Sequence, residues 1–172
     1  TEMARDGIFG DIMHVDGGYM HDLRSEIANG AKNRHYRLRN YLSRNCENYP
    51  THELGPIAKI LGINRGNRML TLASFASKAV GLEEYVKEKA PDPMLAGRHF
   101  NQGDIVTTII RCAGGETIEL CLDTTLPRPY SRGFTVRGTK GMLSEDNRTL
   151  FLESEKHAEH EWAWHKQFNN LD

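Results

Sequence analysis

The spacing of apolar positions changes along the chain, and the changes outline its elements. The first residues, around Met3 and Ala4, stop at Gly7 and read as the last turn of a helix. Residues 12–19 form a β-rich run that ends or bulges at Gly17-Gly18. Residues 24–48 are polar and weakly periodic, which predicts a long ordered loop with one short helix. Leu54, Ile57, Ala58 and Leu61 then recur at helical spacing, with Gly62 as the stop. Pro56 lies inside this run and either kinks the helix or marks its first turn. On both readings His52 stands at the helix mouth.

Residues 68–76 read as a strand, and residues 82–89 as a charged surface helix closed by Pro91 and Pro93. Beyond them the pattern turns to sheet. Residues 105–112 and 117–123 are β-rich runs joined through Gly114-Gly115, a hairpin signal. The simplest register sets Cys112 against Thr117 and Cys121 against Thr108. Residues 134–138 and 141–144 make a shorter pair, and residues 149–153 a last strand. Strands clustered late, without β-α alternation, predict an α+β fold: an open, mostly antiparallel sheet with helices on one face. Ile118, Leu120 and Leu122 share one face of their strand; Thr117, Glu119, Cys121 and Asp123 share the other. That second face is expected to meet solvent or a second copy of the chain.

Composition narrows the function classes. The chain has 172 residues, 38% hydrophobic and 26% charged, as expected of one globular domain. A formal net charge of -1 offers no electrostatic case for nucleic acid or an anionic membrane. No apolar run reaches the ~18 residues of a membrane span, and no signal peptide is visible. Cys46, Cys112 and Cys121 are odd in number and irregular in spacing, neither a disulfide framework nor a zinc pattern. A reducing cytoplasm is the expected location. His157, His160 and His165 crowd the tail with Glu159 and Glu161, but not at standard ligand spacing. No metal is expected there; Trp162 and Trp164 are expected to pack a solvated tail.

Residues 45–62 carry the clearest chemistry. Tyr49 and His52 lie three apart across Pro50, which stiffens the turn ahead of the helix. An imidazole suits proton transfer near neutral pH, and a phenol beside it can bind or protonate a hydroxyl. Read from pattern alone, His52 as a helix cap and Tyr49 as a core residue is the plainer reading. Arg128 and Arg132 flank Tyr130 and suit either an anion or a surface contact.

Four stretches in order carry a resemblance: Gly18-Tyr19-Met20-His21-Asp22-Leu23-Arg24; Tyr49-Pro50-Thr51-His52 with Leu54-Gly55-Pro56; Ile63-Asn64-Arg65-Gly66-Asn67-Arg68; and Pro127-Arg128-Pro129-Tyr130-Ser131-Arg132 with Gly138-Thr139-Lys140-Gly141. Together they resemble the NAD-dependent glycosidases that include α-N-acetylgalactosaminidase, within the Gfo/Idh/MocA oxidoreductase superfamily. The match runs from about residue 3 to residue 145. The resemblance implies the second domain of a two-domain enzyme whose Rossmann domain lies elsewhere, because no G-x-G-x-x-G follows a strand here. Residues 1–10 would end the interdomain helix, residues 11–155 form the substrate and oligomerisation domain, and residues 156–172 a tail. Thr1 falls inside what reads as a helix, so a preceding segment is expected.

By position, the resemblance makes His52 and Tyr49 catalytic, and Arg37, Thr51, Tyr130 and Tyr19 substrate-binding. It implies NAD, held mainly by the absent domain, a sugar or glycoside as substrate, and a homo-oligomer formed through the sheet. It implies oxidation of the sugar at C3, elimination of the C1 substituent, addition of water and re-reduction. Departures are Tyr36 in place of a tryptophan, Glu53 where the family often has glycine, and a shorter segment before Arg37. Ordinary dehydrogenases of the superfamily carry an aspartate at the position of Asn48, so an aspartate–histidine relay is not expected. Two other functions remain open at this point: a sugar or cyclitol dehydrogenase, and a non-catalytic sugar or nucleotide sensor.

Overall fold

The structure is a computed structural model, and it describes residues 1–32, 36–89, 92–153 and 169–170. The tail histidines and tryptophans and Pro91 lie outside these residues. Among the described residues, eight strands form one open sheet in the order β2-β3-β4-β1-β5-β6-β7-β8. They are β1 (Ile12–Met20), β2 (Met69–Ala76), β3 (Ile105–Cys112), β4 (Thr117–Asp123), β5 (Thr135–Gly138), β6 (Gly141–Ser144), β7 (Thr149–Leu152) and β8 (Asn169–Asn170). The pairs are antiparallel except β1 with β4, which run parallel at the centre. The α+β expectation therefore holds, with a mixed rather than uniform sheet.

Five α-helices accompany it among the described residues: α1 (Glu2–Arg5), α2 (Arg24–Ala28), α3 (Tyr36–Ser43), α4 (Thr51–Ile60) and α5 (Gly81–Lys89). The expectation of a long loop over residues 24–48 is corrected to two helices, α2 and α3. Leu38 and Tyr41 are buried at helical spacing in α3, but so are Arg37 and Asn40. Inward-facing polar residues dilute the apolar period that would have revealed the helix.

The hairpin register is also corrected, by one residue. Arg111 faces Thr117 and Thr107 faces Cys121. The amide of Cys112 donates to the Glu116 carbonyl, so the turn holds three residues, Ala113, Gly114 and Gly115. Gly115 has a φ of 98°, which a three-residue hairpin turn requires and a side chain resists. All three cysteines are free.

The core lies on one face of the sheet. Val15, Ile110, Ile118, Leu120 and Val136 meet Ile57 of α4 and Leu61, its C-cap. Tyr19, Val106 and Leu122 meet Ile27, Leu38, Tyr41, Leu82 and Val86 from α2, α3 and α5. Burying one such aliphatic side chain fully contributes ~1.5–3 kcal/mol. Gly17 sets how closely α4 sits on β1, since a Cβ there would stand 2.8 Å from the Cβ of Glu53. Pro56 falls in the second turn of α4, where it cannot donate to the His52 carbonyl. The opposite face of the sheet and the edge strand β2 remain open, with Phe75, Ile109 and Met13 exposed.

Candidate active site

Tyr19 near the end of β1 and His21 just beyond it lie two apart, and their rings are adjacent. Their rings meet edge-on at 4.7 Å between centroids. The turn before α4 brings Tyr49 to 4.7 Å and His52 to 5.2 Å from the Tyr19 ring, and 4.8 Å from each other. Tyr130 arrives by a register argument. β5 pairs antiparallel with β1, Asp16 facing Thr135, and the pairing resumes at Met20 and Ser131. Extending that register by one position sets Tyr130 against His21, and their rings lie 5.3 Å apart.

Arg37, from α3, closes the cluster from below. Its guanidinium donates to the Tyr19 hydroxyl at 3.1 Å and pairs with Glu26 at 2.5 Å. It lies within 5.2 Å of the Tyr49 ring centroid and 5.8 Å of that of Tyr19, in cation–π range. Five expected site residues, Tyr19, Arg37, Tyr49, His52 and Tyr130, are thus assembled with His21 from four separate segments. Thr51 is different: it lies exposed at the first position of α4, outside these ring contacts.

The electrostatics suit a hydroxylated ligand. Burial raises the Tyr19 phenol above its ordinary range, opposed by Arg37, so the phenol stays protonated. Its oxygen accepts from Arg37, which leaves its own O–H to donate. Burial, and then the Arg37 charge, lower the pKa of His21 and favour the neutral imidazole. Its Nε2 is buried with no hydrogen-bond partner among the described residues. A buried polar atom without a partner is costly and marks a place where a ligand atom fits. His21 was quoted in the sequence without a role. The signal that finds it is its two-residue spacing from Tyr19 at a strand's end.

The arginines beside Tyr130 are engaged. Arg128 binds Asp123 at 2.6 Å, and Arg132 donates to the Tyr130 hydroxyl at 3.0 Å. Asn48 turns away from His52, donating to Gln102 at 2.5 Å. Two carboxyls flank the turn. Glu47 accepts from the Tyr49 amide at 3.1 Å, yet burial pushes its pKa up to about 7. Glu53, the residue after His52, is 1% exposed, and burial pushes its pKa up to about 7 as well. A cavity of about 400 Å³ lined by Pro56, Arg132, Phe134, Leu143, Glu145 and Arg148 contains none of the clustered rings.

The cluster fits the reacting end of a nicotinamide and a sugar. It offers imidazoles, phenols and a guanidinium, but no glycine-rich turn between a strand and a helix to hold a pyrophosphate.

Comparison with known proteins identifies the family. An alpha-N-acetylgalactosaminidase of Tannerella forsythia is 38% identical over 191 residues, and a glycosyl hydrolase family 109 protein of Stenotrophomonas maltophilia is 39% identical over 188. Each alignment covers 98% of this chain and 41% of the relative, so the chain spans about two-fifths of these proteins. Among solved structures, a levoglucosan dehydrogenase in complex with NADH and levoglucosan matches with a TM-score of 0.60 at 17% identity, over 90% of this chain and 39% of that one. An inositol dehydrogenase homolog from Azotobacter vinelandii, complexed with NAD+, matches with a TM-score of 0.57 at 17% identity, over 90% and 38%. At that identity the likeness shows the shared oxidoreductase fold alone. The family model for the glycosyl hydrolase 109 C-terminal domain matches residues 1–171, and the chain belongs to this family as that domain.

Proposed function

We propose that this chain is the substrate-binding and catalytic half of an NAD-dependent glycosidase that acts on an N-acetylhexosaminide. The assembled Tyr19, His21, Tyr49, His52 and Tyr130 cluster, with an unpartnered imidazole nitrogen inside it, carries the reading. The Tannerella forsythia relative, an alpha-N-acetylgalactosaminidase by name, supports the substrate class.

NAD bound beside this surface would accept a hydride from the sugar's C3 and later return it. The residues of the chain handle protons and position. His52 is half-buried at the open end of the cluster and takes the proton of the C3 hydroxyl. Tyr49, in ring contact with it, shares that proton or holds the neighbouring hydroxyl. Tyr19 donates its O–H to the sugar while Arg37 holds its oxygen. The His21 Nε2 binds a second hydroxyl or the amide. Tyr130 is exposed at the rim, where it covers the sugar and stands as a candidate base for the C2 proton.

A ketone at C3 acidifies the C2 proton, and loss of that proton expels the C1 substituent. A reaction of the full two-domain protein in D₂O therefore gives product deuterated at C2, with no net reduced cofactor. Direct hydrolysis by two carboxyls leaves C2 untouched. One NADH formed per substrate, with no leaving group released, would make the protein a dehydrogenase and overturn the proposal.

A second copy covering the open sheet face is part of the same reading, supported by exposed Phe75 and Ile109 on that face. Light scattering of the two-domain protein is expected to give a dimer or larger; a monomer alone would remove this part. A reducing, cytoplasmic location completes the proposal.

A further inference from the structure

We propose that His14, Asp16 and Glu119 form a binding site for one first-row divalent metal ion, of the zinc type, on the open face of the sheet. The site is separate from the aromatic cluster and does not rest on the proposed reaction. His14 and Asp16 alternate on β1, so both point to one face. β4 lies beside them in parallel register, with Thr117 next to His14 and Glu119 next to Asp16. One imidazole and two carboxylates thereby converge, with one donor atom from each within 4.8 Å of the others. Tyr19 has the opposite parity on β1 and faces the helices, so this triad lies across the sheet from the active site.

Two observations favour a cation at this point. The imidazole is already oriented as a ligand: Nδ1 meets the Thr117 hydroxyl at 2.6 Å, and Nε2 points at the Asp16 carboxylate. Metal-bound histidines are held in this way by a partner on the second nitrogen. In the tautomer whose Nδ1 donates to Thr117, Nε2 presents a lone pair to an ion seated against the carboxylate; in the other, Nε2–H donates to Asp16.

The carboxylates also ignore the nearest arginines. Arg137 faces His14 and Arg111 faces Thr117, yet among the described residues neither forms an ion pair with Asp16 or Glu119. The acidic groups gather on the imidazole instead.

The donor set selects the ion. Zinc sits ~2.0–2.2 Å from nitrogen and carboxylate oxygen, so ligand atoms around it lie roughly 3–4 Å apart. To seat the ion, His14 Nε2 and the Asp16 carboxylate move apart while Glu119 draws in. Mixed nitrogen and carboxylate donors suit zinc, cobalt or manganese, whereas magnesium and calcium prefer oxygen alone. Three protein ligands leave positions for water or for a group from another molecule. A bound ion would pin β1 to β4, the central parallel pair, and so stiffen the strand whose far end carries Tyr19 and His21.

The test is calorimetric titration of the protein with zinc chloride, with melting temperature as a second readout. One equivalent per chain is expected, with a rise in melting temperature. Glu119→Gln leaves the His14 hydrogen bonds in place and is expected to weaken binding about 10-fold or more; His14→Gln is expected to abolish it. A chain with His157→Gln, His160→Gln and His165→Gln is expected to bind zinc as the parent does, and magnesium to bind none of them. Zinc binding unchanged in both His14→Gln and Glu119→Gln, or lost only with the tail histidines, would overturn the site. So would no zinc binding by the parent protein, which would leave the triad as a hydrogen-bonded cluster.

Discussion

Glu53 gives the sharpest test of the physical reasoning. Its carboxyl is 1% exposed beside Gly17 and Ile57, and neither oxygen has a side-chain or backbone partner from elsewhere in the described residues. Burial raises its pKa from 4.5 to about 7, opposed by its own amide and by Arg132. A folded pKa above the unfolded value means the folded chain binds the proton more tightly. The contribution to stability is therefore fully present below about pH 4.5 and is lost as pH rises through about 7. At about 1.4 kcal/mol per pKa unit, ionised Glu53 costs about 3 kcal/mol above that range. Glu53→Gln keeps the volume and cannot ionise, but its buried amide costs ~1–2 kcal/mol for want of a partner.

The variant is therefore expected to be ~1–2 kcal/mol more stable than the parent near pH 8, and equal or slightly less stable near pH 5. Urea unfolding followed by circular dichroism across that range measures the difference, and groups common to both proteins cancel. Glu47 feels the Glu53 charge, so the double variant with Glu47→Gln is expected to gain less than the sum of the two. Parallel stability profiles for parent and Glu53→Gln from pH 5 to 8 would refute the claim that this carboxyl is held neutral by burial.

Two further outcomes follow from the site. In the full-length protein, His52→Ala is expected to lower turnover ~10²–10⁴-fold while shifting the melting temperature little, because the ring is only half-buried; unfolding, or near-normal turnover, would remove the proposed catalytic role. The 172-residue chain alone is expected not to bind NAD appreciably by calorimetry, since it has no pyrophosphate turn, and micromolar affinity would contradict this.

The sequence by itself determined the local elements wherever period and punctuation agreed. β3 and β4 were legible to the residue because β-rich runs flank Gly114-Gly115, β6 because it starts at Gly141, and α4 because Ile57 and Leu61 repeat toward one face before Gly62 at φ 64°. It also made Tyr49 and His52 a pair, since Pro50 fixes the short path between them. It could not reveal α3, whose buried Arg37 and Asn40 hide the apolar stripe. Nor could it set the hairpin register, which turned on a three-residue turn with Gly115 at φ 98°.

Contacts between distant segments belong to the tertiary structure alone. The pairing of β5 with β1 brought Tyr130 to His21 across more than a hundred residues, and gave His21 a place in the site. The parallel pairing of β1 with β4 did the same for His14, Asp16 and Glu119, on the face where no sequence spacing could announce a ligand set. Periodicity reports which way a side chain faces along its own strand. Only the order and register of the strands decide which side chains then stand next to one another.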